Sequence, residues 1–322
     1  MLSKRFFFFV IFSLIAYVFI SFFALCLGDE FLNPFEVLFN GDELSRQILF
    51  EIRAPRILMA ILVGMLLASS GAITQTVFSN PIADPYIIGI ASAAAFGATL
   101  AFMLDMADYY YGILGFVCSC VFSLLVFKIA SRASLATLLI IGVSAATFLG
   151  SISAFLSYVI GEESFKITAW LMGYLGVVSY LRVFLLSLAL LFCLGFFYYY
   201  KNELNIILSG DEEALSMGVN ALKLKRMLLI VSSIAVSFGV AFTGLIAFVG
   251  LIIPHLVRII MKDYSNTVVL PLCTLLGGLF LLLCDTLARF VLAPVEIPLG
   301  VITSLIGAPV FLYLALKTRR MM

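Results

Sequence analysis

Long apolar runs separated by short polar breaks set the pattern of this chain. Ten runs can be marked, at residues 6–28, 56–78, 87–104, 112–130, 136–160, 181–200, 226–246, 249–261, 267–287 and 299–316. A helix needs about 20 apolar residues to cross a bilayer. Backbone groups in lipid must be satisfied within their own segment, so these runs predict transmembrane helices. The eighth run is too short to span alone, and is expected to be tilted, partly re-entrant or continuous with its neighbour. The first run follows Lys4 and Arg5. It is longer than the apolar stretch of a signal peptide, and Gly28-Asp29-Glu30 is no small-x-small cleavage site, so it predicts a retained span.

Composition agrees with the pattern. Of 322 residues, 64% are hydrophobic and 11% charged, against about 25% charged in a soluble domain. A soluble fold cannot bury so much apolar side chain, so the bilayer is expected to solvate much of the surface. The predicted class is an all-α, polytopic integral membrane protein forming one transmembrane domain over residues 1–322. A net charge of +1 gives no electrostatic basis for a nucleic-acid partner. The six cysteines lie in apolar runs without a C-x-x-C pair and are expected to pack as small hydrophobes.

Lys and Arg residues are unevenly shared between the two sides. With the N-terminus inside, thirteen (Lys4, Arg5, Lys128, Arg132, Lys201, Lys223, Lys225, Arg226, Arg258, Lys262, Lys317, Arg319 and Arg320) fall at cytoplasmic ends, and six at outer ends. The positive-inside bias then predicts an even number of spans with both termini cytoplasmic. Most acidic residues, Asp29 and Glu30 among them, fall outside. The longest inner loop covers residues 201–225. Within it Asp211, Glu212 and Glu213 suit a helix N-terminus, Ala214, Leu215 and Met217 give a short apolar side, and Gly218 can end the helix. No G-x-x-x-x-G-K-[ST] loop is present, so any ATP is expected on another chain.

Several residues break the usual rules for a membrane span. Arg53 and Arg56, either side of Ala54-Pro55, stand on one helical face at the outer end of the second run, and Arg289 at the outer end of the ninth. Snorkelling to headgroups is one reading; bidentate docking of an acidic partner is the other. Ser69, Ser70, Gly71, Ala72, Thr74 and Gln75 form a small, polar stretch inside the second run, followed by Asn80-Pro81-Ile82-Ala83-Asp84-Pro85. It reads either as a tight packing seam or as a pathway lining. Asp285 and Arg289 are spaced to pair along a helix. His255 is the only histidine, too little for a metal site, and is expected to cap or pack.

At these residues the chain resembles the permease subunits of type II ATP-binding-cassette importers, which carry ferric siderophores, haem and cobalamin. The resemblance runs over nearly the whole length. Arg53-Ala54-Pro55-Arg56, Gly64, Ala68, Ser70-Gly71, Gln75, Asn80-Pro81-Ile82-Ala83-Asp84-Pro85 and Gly89 are similar to one family signature. Trp170-Leu171-Met172-Gly173 is similar to a W-x-x-G element, and Gly210 to Gly218 to a cytoplasmic G-x-x-x-A-x-x-x-G coupling segment. Phe248 to His255, Asp285 to Arg289, Glu296 to Gly300 and Ile306 to Pro309 match further elements. Ser79 and Tyr174 depart from the usual arginine and serine.

The resemblance implies ten helices in a bacterial cytoplasmic membrane and a dimer with a second copy or a close homologue. It also implies two ATPase subunits that hold ATP and Mg, no cofactor on this chain, and a periplasmic or surface binding protein. Arg53, Arg56 and Arg289 match positions that dock that protein. Gly210, Asp211, Glu212, Ala214, Leu215 and Gly218, within a segment of about 205–222, match the ATPase contact. Ser70, Gly71, Thr74, Gln75, Asn80, Pro81, Trp170 and Gly173 are the expected pathway lining, and the expected substrate is an iron chelate, haem or a ferric siderophore, over cobalamin. A secondary transporter would place more carboxylates or histidines inside the spans. An intramembrane enzyme would need a G-x-S-x-G or H-E-x-x-H element, and neither is present.

Overall fold

The computed structural model describes residues 4–28, 31–130, 133–176 and 178–319. Asp29, Glu30, Arg132 and Arg320, counted above in the charge distribution, lie outside the described residues, as do the side chains of Lys317 and Arg319. The described chain is helical throughout, without strands. Its helices are α1 (Lys4–Cys26), α2 (Pro34–Asn40), α3 (Glu43–Gln47), α4 (Ala54–Phe78), α5 (Ile90–Met103), α6 (Tyr109–Ile129), α7 (Leu135–Ile160), α8 (Phe165–Leu171), α9 (Tyr180–Tyr199), α10 (Lys201–Ile207), α11 (Asp211–Ser216), α12 (Ala221–Thr243), α13 (Val249–Met261), α14 (Asn266–Phe290) and α15 (Leu299–Arg319).

Each of the ten apolar runs is a helix: α1, α4, α5, α6, α7, α9, α12, α13, α14 and α15. Seven of the helical stretches are long and apolar enough to cross a membrane, while α5 and α13 are shorter apolar helices and α15 runs for 21 residues. Two boundaries differ from the pattern. A π-helical stretch, Ile48–Arg53, joins α3 to α4, so the second span is preceded by helix that hydropathy alone does not mark. The third run opens with a 3-10 turn, Pro85–Ile88, and turns into α5 at Gly89, whose φ is +97°.

The bundle is built around α4. Nearly all its residues from Met59 to Val77 are buried, and it packs against α14, α13, α12 and α9. Small side chains allow this. A Cβ on Gly64 would overlap the Gly277 carbonyl of α14, and one on Gly71 would overlap the Gly250 carbonyl of α13. Close approach of this kind replaces the hydrophobic drive that is missing between helices in lipid. By contrast α1 exposes Phe7, Phe8, Ile11, Phe12, Val18 and Phe19, as a lipid-facing helix does.

The eighth run is a separate short helix. Gly244 ends α12 at φ +66°, residues 244–248 are not helical, and Phe248 starts α13 at φ +70°. Thirteen residues of helix rise about 20 Å, short of a hydrocarbon core of about 30 Å. The irregular backbone is satisfied by other irregular backbone. The Tyr174 amide donates to Thr243 O at 2.8 Å, and the Leu299 and Gly300 amides donate to Gly173 O and Met172 O, each at 2.9 Å. Three chain breaks thereby support one another, as non-helical backbone at depth requires.

Candidate functional site: a charged, cavity-bearing end and a coupling end

The C-terminal ends of α1 and α14 meet the N-terminal end of α4. Here Asp285, fully buried, lies between two guanidiniums: Arg56 Nε at 3.0 Å and Arg289 Nε at 3.2 Å. Arg56 Nη1 reaches Glu296 Oε1 at 2.7 Å, and its guanidinium sits 5.9 Å from the centre of the Tyr174 ring. Arg53 Nη1 donates to Leu25 O at 2.6 Å and Cys26 O at 3.0 Å, and Arg289 Nη1 to Leu27 O at 3.2 Å. These are the free carbonyls at the end of α1, which attract cations.

Arg53, Arg56 and Arg289, the positions expected to dock an outside partner, are drawn into the fold of this single chain. In this chain they are buried, at 5–7% exposure, and hydrogen-bond to its own carboxylates and carbonyls. Charge at the outer edge of a span is stabilised better by a carboxylate or a helix terminus inside the fold than by lipid. The expected Asp285–Arg289 pair is present. Sequence reasoning missed Arg56 and Glu296 as its extensions, because Arg56 lies 229 residues from Asp285 and 240 from Glu296 along the chain.

Beside this cluster opens a cavity of about 790 Å³. Trp170, Tyr109, Tyr111, Tyr174 and Phe242 give it aromatic walls, and Asp108, Lys166, Arg182 and Glu296 line it with charge. Its volume lies in the range of small-molecule sites, about 300–1,000 Å³. Burial first, then the Glu296 charge, raises the Tyr174 phenol above its ordinary value, so it stays protonated.

Of the residues expected to line a pathway, Ser70, Gly71, Thr74 and Gln75 are buried in this chain's own helix packing, with Ser232 Oγ on Ser70 O at 3.3 Å and Gln75 Nε2 on Leu251 O at 2.9 Å. Their small size allows the close helix approach seen here. Asn80 and Pro81 are in the loop after α4, where Asn80 Oδ1 accepts from the Ile82 amide at 3.0 Å. Trp170 does line the cavity. Gly173, at φ +80°, forms the backbone junction just described.

In the same loop Asp84 Oδ1 accepts from the Tyr86 amide at 2.7 Å. Burial lifts its carboxyl from 3.8 to about 6. The folded chain therefore holds this proton more tightly than the unfolded one. Its stabilising effect is complete below about 3.8 and is lost as pH rises through about 6. Asp84→Asn keeps the acceptor and removes the titration. The stability difference between variant and wild type should thus grow from pH 4 to pH 6 in thermal denaturation; a constant difference would reject the assignment.

The opposite end of the bundle carries the start of α14, the end of α13, and α10 and α11. Helix α11 starts after Gly210 (φ +126°) and ends at Gly218 (φ +82°). The Gly218 amide donates to Leu215 O at 2.9 Å and the Val219 amide to Ala214 O at 2.8 Å, a Schellman stop. Asp211 pairs with Lys225 Nζ of α12 at 2.5 Å. Ala214 is buried against the bundle, whereas Glu212, Leu215 and Gly218 are exposed. His255 packs at 6.1 Å from the Phe311 ring, and no acidic, Cys or His cluster that could hold a metal occurs among the described residues.

The profile of the FecCD transport family matches residues 14–317. The chain belongs to that family. It is 39% identical over 287 residues to the cobalamin import system permease of Halobacterium salinarum, covering 86% of this chain and 75% of that one. It is 36% identical over 282 residues to the hemin transport system permease of Yersinia pestis, covering 84% of each. Among solved structures, an inward-facing ABC transporter assigned to the metal-chelate type superposes with a TM-score of 0.85 at 32% identity, covering 95% of this chain and 97% of that one. As a FecCD-family permease the chain is a non-catalytic membrane component, and ATP hydrolysis belongs to a separate ATPase.

Proposed function

We propose that this chain is the membrane-spanning subunit of an ATP-driven importer that moves an iron chelate, haem or a ferric siderophore, across a bacterial cytoplasmic membrane by alternating access. The observation that carries the reading is a division between the two ends. One end holds an aromatic, charged cavity; the other presents the exposed tip of α11, with Leu215 at 67% exposure on a buried Ala214 anchor. A planar or multidentate chelate suits aromatic walls with a few charged groups. An exposed apolar tip on a short, firmly stopped helix suits the cleft of a motor subunit.

In this proposal two ATPase subunits, which bind ATP and Mg, engage α11. A second copy of the permease or a close homologue completes the pathway, and a binding protein delivers substrate at the cavity end. The residue 201–225 segment and both termini are cytoplasmic, as the positive-inside bias favours.

Cobalamin is the second reading, favoured by the 39% identity to a cobalamin permease. The test is reconstitution in proteoliposomes with the ATPase and binding protein, supplied with radiolabelled haem, ferric siderophore or cobalamin. ATP-dependent, vanadate-sensitive accumulation of an iron chelate is expected. Accumulation of cobalamin alone would replace the substrate assignment, and uptake indifferent to ATP would overturn the ATP-driven reading.

A further inference from the structure

A chain of polar side chains runs from α10 into the middle of the bundle. Asn205, on α10, accepts on Oδ1 from the Asn266 backbone amide at 2.7 Å and from Asn266 Nδ2 at 3.2 Å. Asn266, fully buried at the first turn of α14, lies with Oδ1 3.1 Å from Thr76 Oγ1 of α4, whose single proton has Ala72 O at 2.8 Å as its other acceptor. Thr76 Oγ1 in turn accepts from Arg258 Nη2 of α13 at 3.1 Å. Arg258 also donates to Ala72 O at 3.2 Å and to Gln75 Oε1, and Gln75 Nε2 donates to Leu251 O at 2.9 Å.

Two features set this chain apart from ordinary packing. Among the described residues, every side-chain hydrogen bond from α10 to the bundle goes through Asn205. And Arg258, a buried cation, has only neutral oxygens as hydrogen-bond partners. The bonds among Asn205, Asn266 and Thr76 join neutral groups, and polar bonds between membrane helices average about 0.6 kcal/mol. Such bonds can exchange partners at low cost, whereas the charge-assisted bonds of Arg258 and the ion pairs around Asp285 hold one arrangement.

We propose that Asn205, Asn266, Thr76 and Arg258 form a mechanical relay that carries displacement of the α10–α11 segment into α4 and α13. Asn266, Thr76 and Arg258 are positioning residues for transport: they touch no substrate, but set how motion at the motor contact reaches the helices that pack below the cavity. The inference rests on the proposed contact of α11 with an ATPase. Coupling of this kind needs an element that two sites bias between arrangements, and the Thr76 hydroxyl, whose single proton can go to Asn266 Oδ1 or to Ala72 O, is that element.

The experiment uses the complete importer in proteoliposomes and reads uptake per ATP hydrolysed. Thr76→Val, which removes only the hydroxyl, and Asn205→Leu should each lower that ratio by about three- to thirtyfold. Thr76→Ser should restore it to within about twofold of wild type, a rescue that loss of packing volume would not give. The double variant should be no worse than the poorer single variant, because both break one chain. A wild-type ratio in Thr76→Val, or losses that multiply in the double variant, would overturn the relay. Should Asn205→Leu fail to assemble, the Thr76→Val and Thr76→Ser comparison decides alone. A crosslink from Leu215→Cys separates the two levels. Capture of the ATPase with an unchanged ratio in Thr76→Val rejects the relay only; no capture of the ATPase rejects the motor contact and the relay with it.

Discussion

Asp285→Leu should destabilise the folded chain by about 3–5 kcal/mol, the range found when one partner of a buried ion pair is removed. Asp285 is fully buried and, among the described residues, is the one carboxylate paired with both Arg56 and Arg289. Without it two guanidiniums face each other with a like charge, and Glu296 is left to neutralise Arg56 alone. The magnitude separates this site from the uncharged Asn205–Asn266–Thr76 links at the other end, where a single bond is worth about 0.6 kcal/mol on average. Asp285→Asn should fall between the two, since it keeps an acceptor and loses the charge. Replacing Arg289 by leucine in the Asp285→Leu background should recover part of the loss, because a buried ion pair exchanged for apolar side chains is often neutral. Denaturation in detergent reads all four proteins. An Asp285→Leu protein as stable as wild type would show that the cluster does not hold α1, α4 and α14 together.

The second large effect is expected from a single methyl group. Gly71→Ala places a Cβ on the Gly250 carbonyl, a backbone atom in the first turn of α13 that cannot rotate away. Overpacking of this kind costs about 1–3 kcal/mol. Helix propensity alone would favour the alanine by about 1 kcal/mol, so the net sign reports whether the helices are really in contact. Gly195→Ala in α9 is the control, since a Cβ there meets nothing within 4 Å. It should be neutral or slightly stabilising. Equal behaviour of the two variants in the same denaturation assay would mean that α4 and α13 are not closely packed.

The two substitutions also mark where sequence reasoning stopped. Gly71 stands in a stretch whose small residues were compatible with either a seam or a pathway. The structure places Gly71 against the backbone of Gly250, 179 residues further along the chain, a contact that the sequence does not signal. Likewise Arg53, Arg56 and Arg289 were conspicuous as cations at the wrong end of their spans. Their partners were hidden because the carbonyls of Leu25, Cys26 and Leu27 carry no signal in side-chain chemistry. A hint existed for Gly28: a side chain there would collide with the Arg53 guanidinium.

Asp211, Ala214 and Gly218 were legible in full, since a helix start, a buried anchor and a left-handed stop are local matters. Asn205, Asn266 and Arg258 were not, because each is an ordinary polar residue until α10, α14 and α13 are brought side by side.

The sequence by itself determined that this is a bundle of ten apolar helices with a short polar helix from Asp211 to Gly218, because hydrophobic length and local capping depend only on near neighbours along the chain. The tertiary structure decided which face of α4 meets which helix, where the buried charges find partners, and that an aromatic cavity opens beside them. Those outcomes rest on atoms hundreds of residues apart. In lipid, where apolar surface alone does not favour one helix pairing over another, close packing at small residues and satisfied polar groups make the choice.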